Sequence, residues 1–303
     1  MAWFEPVLGT VLVTEFAPYE VEAAAEEACL AEIARLDLVL SRWRDDSELA
    51  LYNRGERVPA GELAWVLAEA ERWRVASGGI FDGGRPPHVD LDGIAKGYVV
   101  DRALAAVSGT TSALVNIGGD LACRGTVTVA IEDPTTPYDN APPLTRVTIT
   151  DRALATSGTA RRGMHIRDPR TGRPASVASA TVVASDAMTA DALATIAGIL
   201  PPDDACAFVE SHGASCLIVT PEGPLTSASW PPPDPRPPRP TRDRTGIPAT
   251  AQAFGCLSGG GRGGGSRLDC RGRAVGEALP AGGTGPDRDA DRVAGGPARQ
   301  IRR

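Results

Sequence analysis

The feature that most limits what this chain can fold into is a change of composition at Ser227. Of the 77 residues from Ser227 to Arg303, 15 are Gly and 11 are Pro. A segment so rich in these two residues, and without regular apolar periodicity, cannot bury enough surface to offset its ordering entropy. A packed core is therefore expected only in residues 1–226, with 227–303 as a disordered C-terminal tail. Charge divides at the same point: the tail holds 13 Arg against 7 acids, a net +6, whereas residues 1–226 sum to −13. A body this acidic repels polyanions, which argues against nucleic acid as a partner. The tail's bias has two readings, a natural disordered extension or an out-of-frame reading of GC-rich coding sequence. Its Gly259–Gly265 run satisfies GxGxxG, but no strand precedes it and no helix follows, so it is low complexity and not a dinucleotide fingerprint.

The 303 residues allow one large domain or two ordinary ones. No apolar run approaches the roughly 18 residues that span a bilayer, so no membrane insertion is expected. Met1–Pro6 shows neither a basic n-region nor an apolar h-region, and the expected location is cytoplasmic. Six cysteines include no CxxC pair and no His/Cys cluster, which supports neither zinc nor a disulfide framework.

Periodicity predicts a strand over 7–16, helices over 19–40, 61–77 and 94–107, a short helix ending near Asn53, and a last helical pair over 187–200 and 203–211. Short β-like runs fall at 112–117, 126–131, 144–149, 164–167, 177–183 and 215–220. This pattern predicts an α+β fold, a mostly antiparallel sheet core with packed helices.

Four constellations could carry chemistry. Val89–Asp101 runs a small-residue turn into a helix, so that free backbone N–H groups and Lys96 could face an anion together; the plain alternative is an ordinary glycine turn. Lys96 is the only lysine among 31 basic residues, which marks a position where an ammonium is not exchangeable for a guanidinium, or else chance. Ser112–Asp120 leads a buried strand into Gly118-Gly119-Asp120, either a turn or a site. His165 stands at the head of a short polar-ended strand, as a structural or a functional histidine. Asp191 and Thr195, at i and i+4, share one helix face. They could ligate a hard cation such as Mg²⁺ together with phosphate oxygens and water, or simply lie on a solvated face.

Taken in order, eight segments resemble the ApbE-type FAD:protein FMN transferase family: Leu8-Gly-Thr10, Leu40–Leu49, Asp90–Tyr98, Val115–Asp120, Ile131–Pro134, Ala155–Gly158, His165–Gly172 and Ala190–Thr195. The resemblance implies a Mg²⁺-dependent enzyme that splits FAD and attaches FMN through its phosphate to a threonine of an acceptor protein, releasing AMP. It implies Asp191, Thr195 and the Gly93 carbonyl as metal ligands, and Leu8, Trp43, Asp90, Lys96 and Ile166 as FAD contacts. His165, Lys96 and Asp191 are the implied catalytic residues. Leu8 stands where the family usually has methionine. Two departures stand out: only seven residues separate Asp82 from Asp90 where the family usually has several dozen that help enclose the flavin, and the tail from Ser227 has no counterpart in the family. The alternatives are a catalytically weak flavin-binding module or FAD pyrophosphatase, and an RNA-binding tail.

Overall fold

The computed structural model describes residues 2–136, 141–158, 167–175, 177–231 and 251–252, all within the unit Met1–Gly260. The tail beyond Pro231, except for 251–252, lies outside the described residues. Among the described residues, eleven strands and six α-helices follow one another: β1 (Ala2–Val7), β2 (Thr10–Ala17), α1 (Glu22–Leu40), α2 (Glu48–Asn53), α3 (Gly61–Ala76), α4 (Ala95–Ala106), β3 (Ser112–Ile117), β4 (Asp120–Arg124), β5 (Thr126–Ile131), β6 (Thr145–Thr150), β7 (Ala153–Gly158), β8 (Ser179–Ala184), α5 (Ala187–Ala197), α6 (Pro202–Ser211), β9 (Ser215–Thr220), β10 (Gly223–Thr226) and β11 (Ala251–Gln252). The helices agree with the periodicity to within about three residues. The expected 164–167 strand falls mostly outside the described residues, with Arg167 paired to Pro174 in an isolated bridge.

Eight strands form one sheet in the order β1-β2-β3-β4-β7-β8-β9-β10, every neighbouring pair antiparallel. The second sheet, β11-β5-β6, pairs β5 with β6 antiparallel and β11 with β5 parallel. The fold is α+β, as the pattern predicts. Helices cover one face of the large sheet around Leu12, Ile33, Leu36, Trp73, Ile94 and Val115. The small sheet covers the other face around Leu114, Leu121, Val129, Val147 and Leu154. Because β3 is covered on both faces, Ala113, Leu114, Val115 and Ile117 are all buried, and the strand reads as a continuous apolar run.

One expectation is corrected. The strand predicted over 7–16 is a hairpin, broken at Leu8 and Gly9 with φ 48° and 74°. Leu8 tolerates a left-handed backbone that its side chain disfavours, so nothing in the apolar run signals the turn. The same two-residue geometry recurs at Gly118 and Gly119, φ 62° and 101°, between β3 and β4. Positive φ at both central residues marks a type I′ turn, which explains the double glycine. The two turns lie at one end of the sheet, where the Gly118 N–H donates to Val11 O at 2.9 Å. The packed body also continues past Thr226. Ser227 is buried and exchanges hydrogen bonds with Cys216, and Trp230 packs on the lower core.

Candidate active site

The α4–α5 seam is the most tightly built part of the site. Gly97 lies so close to the start of α5 that a Cβ there would stand 2.2 Å from Ala187 O and 2.7 Å from Met188 Cα. Only glycine permits that approach. Contact of the two backbones lets the Gly97 N–H donate to Asp191 Oδ2 at 3.2 Å. One turn earlier, a Cβ on Gly93 would stand 2.9 Å from Thr195 Oγ1 and 3.1 Å from the Phe81 ring, so the Gly93 backbone lies beside the threonine hydroxyl. Ser157, at the end of β7, reaches the same hydroxyl at 3.4 Å.

Lys96 places its ammonium against the carboxylates of Asp120 and, at 3.5 Å, Asp191. The anion that Lys96 and the Gly97 N–H face here is thus one of the protein's own carboxylates. Asp120 was not among the expected site residues, although its Gly-Gly-Asp turn was singled out. The I′ hairpin delivers it under the first turn of α4. Both carboxylates are buried, with side chains 2% and 3% exposed, so the solvated-face alternative for Asp191 does not hold. Burial and the neighbouring Asp120 push the Asp191 carboxyl up, against the Lys96 ammonium and the Gly97 N–H, which pull it down. With both acids ionised their negative charges repel, and a cation beside them would relieve that repulsion.

The donors at this point are all hard oxygens: the Asp191 carboxylate, the Thr195 hydroxyl and the backbone of Gly93. Among the described residues no three His, Cys, Asp or Glu side chains group as a metal site, and Asp191 brings its carboxylate beside neutral oxygens. That chemistry fits Mg²⁺, which prefers oxygen and retains substrate oxygens and water, and does not fit zinc.

A second group of expected residues forms an open rim. A Cβ on Gly9 would stand 3.0 Å from Trp43 Nε1, so the Leu8–Gly9 turn lies against the indole. Trp43 itself is 68% exposed. Arg42 stacks over the Trp43 ring at 4.9 Å and bridges Asp90 Oδ2 at 2.6 Å and Asp92 Oδ2 at 2.8 Å. Leu8, Trp43 and Asp90, separated by dozens of residues, are gathered by contacts of residues 9 and 42. Arg42 was not singled out from the sequence. His165 and Ile166 lie outside the described residues. At residues 83–90 the turn closes through Asp90 N–H to Gly83 O at 2.9 Å, and a cleft lined by Tyr52, Leu67, Ala70, Val89 and Leu91 opens beside it. No helix among the described residues is long and apolar enough to cross a membrane.

The chain is 34% identical over 154 residues to the FAD:protein FMN transferase of Escherichia coli K12, covering 45% of this chain and 43% of that one. It is 32% identical over 162 residues to the enzyme of that name from Haemophilus influenzae, covering 47% and 46%. The chain thus spans less than half the length of these relatives. Its fold matches the flavin transferase ApbE of Vibrio cholerae with a TM-score of 0.64, covering 75% of this chain and 97% of that one at 23% identity. It matches the ApbE protein of Thermotoga maritima at 0.62, covering 75% and 98% at 24% identity. The sequence pattern of the ApbE family matches residues 8–87 and 83–218, which include both the seam and the rim, and the chain belongs to the ApbE family.

Proposed function

We propose that the chain is a Mg²⁺-dependent FAD:protein FMN transferase, which attaches FMN through its phosphate to a threonine of an acceptor protein and releases AMP. The observation that carries this reading is the meeting of Lys96, Asp120, Asp191, Thr195 and Gly93 at one buried seam. The names of the relatives support it. In the balanced reaction the threonine oxygen attacks the FMN phosphorus, the bond from that phosphorus to the bridging oxygen breaks, and AMP leaves with the electron pair. The threonine proton passes to a base.

Asp191, Thr195 and the Gly93 carbonyl would hold the metal. When bound, Mg²⁺ neutralises charge developing on the phosphate oxygens. Lys96 balances Asp120 and Asp191 and holds a positive charge at the phosphate end. Leu8, Trp43 and Asp90 orient the flavin nucleotide at the rim, with Ile166. His165 takes the threonine proton or holds the phosphate.

The exposure of Trp43 beside the shortened 82–90 segment favours a second reading, a weak flavin-binding module or FAD pyrophosphatase. Incubation with FAD, Mg²⁺ and a threonine-containing acceptor peptide separates the three. Transfer gives AMP together with FMN-labelled peptide. AMP alone identifies a pyrophosphatase, and neither product leaves only binding.

A further inference from the structure

α4 and α5 meet in a ladder with matched spacing. Positions 93, 97 and 101 run along one side at four-residue intervals, and positions 187, 191 and 195 run along the other in the opposite direction. The first rung joins Gly93 to Thr195, the second joins the Gly97 N–H to Asp191, and the third is made by Asp101. Asp101 accepts the Ala187 N–H on Oδ1 at 2.8 Å and the Met188 N–H on Oδ2 at 2.9 Å. A helix start leaves its first N–H groups without intrahelical partners. In α5 the Thr189 N–H goes to Asp186 Oδ1, and the two N–H groups before it go to Asp101. The exchange is reciprocal, because Asp191 of α5 accepts a first-turn N–H of α4. Each helix therefore caps the other with a carboxylate.

We propose that Asp101 is a positioning residue that sets the register of α5 on α4, and through it the placement of Asp191 and Thr195 opposite Gly93 and Lys96. Thr195 lies eight residues beyond Ala187, about 12 Å along the helix, so Asp101 touches neither metal donors nor substrate. It acts through the rigid helix. A slip or swing at the first turn displaces both donors together, and outer partners of this kind change metal affinity by about 10–100-fold. Gly97 lets the helices come close, and the Asp191 bond to its N–H fixes one point of contact; the forked carboxylate on two successive N–H groups fixes a second and so opposes sliding.

The proposal rests on the flavin-transfer reading for its catalytic consequence, and the test separates the two. In Asp101→Asn the amide oxygen can accept one N–H while its NH₂ group opposes the other. Hydrogen exchange of the Gly97 amide should then rise about tenfold, while Val115 in β3 keeps its protection. Half-saturating Mg²⁺ for AMP release should rise about tenfold, with half-saturating FAD unchanged. A generally destabilised variant such as Val209→Ala should not show that split. Unchanged Gly97 exchange overturns the register lock whatever the activity, and an unchanged Mg²⁺ requirement in an active enzyme overturns its catalytic role. Wild type that releases no AMP from FAD overturns flavin transfer, with the exchange result still judging the lock. If Asp101→Asn does not fold, Asp101→Glu, which keeps the charge on a longer arm, is read by the same measurements.

Discussion

The seam and the rim belong to one candidate site but are held together by opposite means. At the seam, backbones touch at Gly97, and two buried carboxylates, Asp120 of β4 and Asp191 of α5, face the Lys96 ammonium of α4. At the rim, Arg42, Asp90 and Asp92 have half-exposed side chains, and the indole beside them is open to solvent. In a low dielectric, pairs and hydrogen bonds are strong and their loss leaves an uncompensated group, whereas water and salt screen the same pairs at a surface. The seam is thus built for fixed geometry and the rim for adjustment. Changes at the seam should be severe, and comparable changes at the rim mild.

The largest effect is expected at Lys96. Its lone occurrence suggests a contact with substrate anion, and on that ground Lys96→Met would stop turnover and leave stability intact. The structure changes the second half of that expectation. Removing the ammonium leaves Asp120 and Asp191 facing each other in a buried site, and breaking such a pair costs about 3–5 kcal/mol. Urea unfolding of Lys96→Met should show that loss together with abolished AMP release. Lys96→Arg should keep much of the stability and lose much of the turnover, because a planar fork does not replace a compact ammonium. Wild-type stability in Lys96→Met would show that the ammonium does not compensate the carboxylates of the buried triad.

Gly97→Ala comes next. The added methyl would overlap Ala187 O, which belongs to a helix backbone and cannot rotate away. The helices must part, and overpacking of this kind costs about 1–3 kcal/mol, occasionally more. Activity should fall further than stability, since the Gly97 N–H bond to Asp191 stretches with the seam. Retained turnover would mean that the close approach is packing alone.

How much of this was legible in the sequence depends on the range of the signal. α1 shows Ala25, Cys29, Ile33, Leu36 and Leu40 at helical spacing, and all five are buried. The Asp191/Thr195 pair was readable for the same reason, being local. β4 and β7 were not, since they are five- and six-residue strands carrying small and polar residues between turns. Asp101 ends a motif that drew attention, yet its role depends on N–H groups 86 residues further along. Nothing local to 101 marks that contact. Asp120 offered one usable signal, an acid placed directly after a double glycine in an otherwise apolar stretch. Pairing across 24 residues with Lys96 was still needed to give it a function.

A pH prediction tests the buried side without altering the triad. Burial raises the Asp101 carboxyl from its ordinary value to about 6; Asp186 adds to the rise, and the Ala187 and Met188 N–H groups oppose it. The adjacent Arg102 is engaged with Glu32 and Glu62. Between about pH 4 and pH 6 the folded protein retains a proton that the unfolded chain has lost, so this group's contribution to stability declines as pH rises through that window. Two pH units of displacement correspond to on the order of 2–3 kcal/mol. Urea unfolding at pH 4.5 and pH 7 should show that component in wild type and not in Asp101→Asn. Parallel behaviour of the two proteins would remove Asp101 as the titrating group.

The smallest effect is expected at Arg42, and it is where the comparison is sharpest. Arg42 bridges two acids and stacks on an indole, yet its side chain is 40% exposed and its partners 48% and 43%. Exposed pairs are worth about 0.2–1 kcal/mol, and an exposed cation–π contact about 0.5–1 kcal/mol. Arg42→Ala should therefore shift the unfolding midpoint by only a few degrees, since about 1 kcal/mol moves Tm by roughly 2–4 °C in a domain of this size. Its effect should be on substrate: freed Trp43 and Asp90 lose their mutual orientation, so half-saturating FAD rises a few-fold while AMP release at saturating FAD is kept. Raising salt should narrow the gap between Arg42→Ala and wild type, because the bridge is screened in both solvent and crevice, whereas salt should leave the Lys96→Met defect as it is. A collapse of maximal turnover in Arg42→Ala would place the rim inside the phosphate chemistry and erase the division between the two regions.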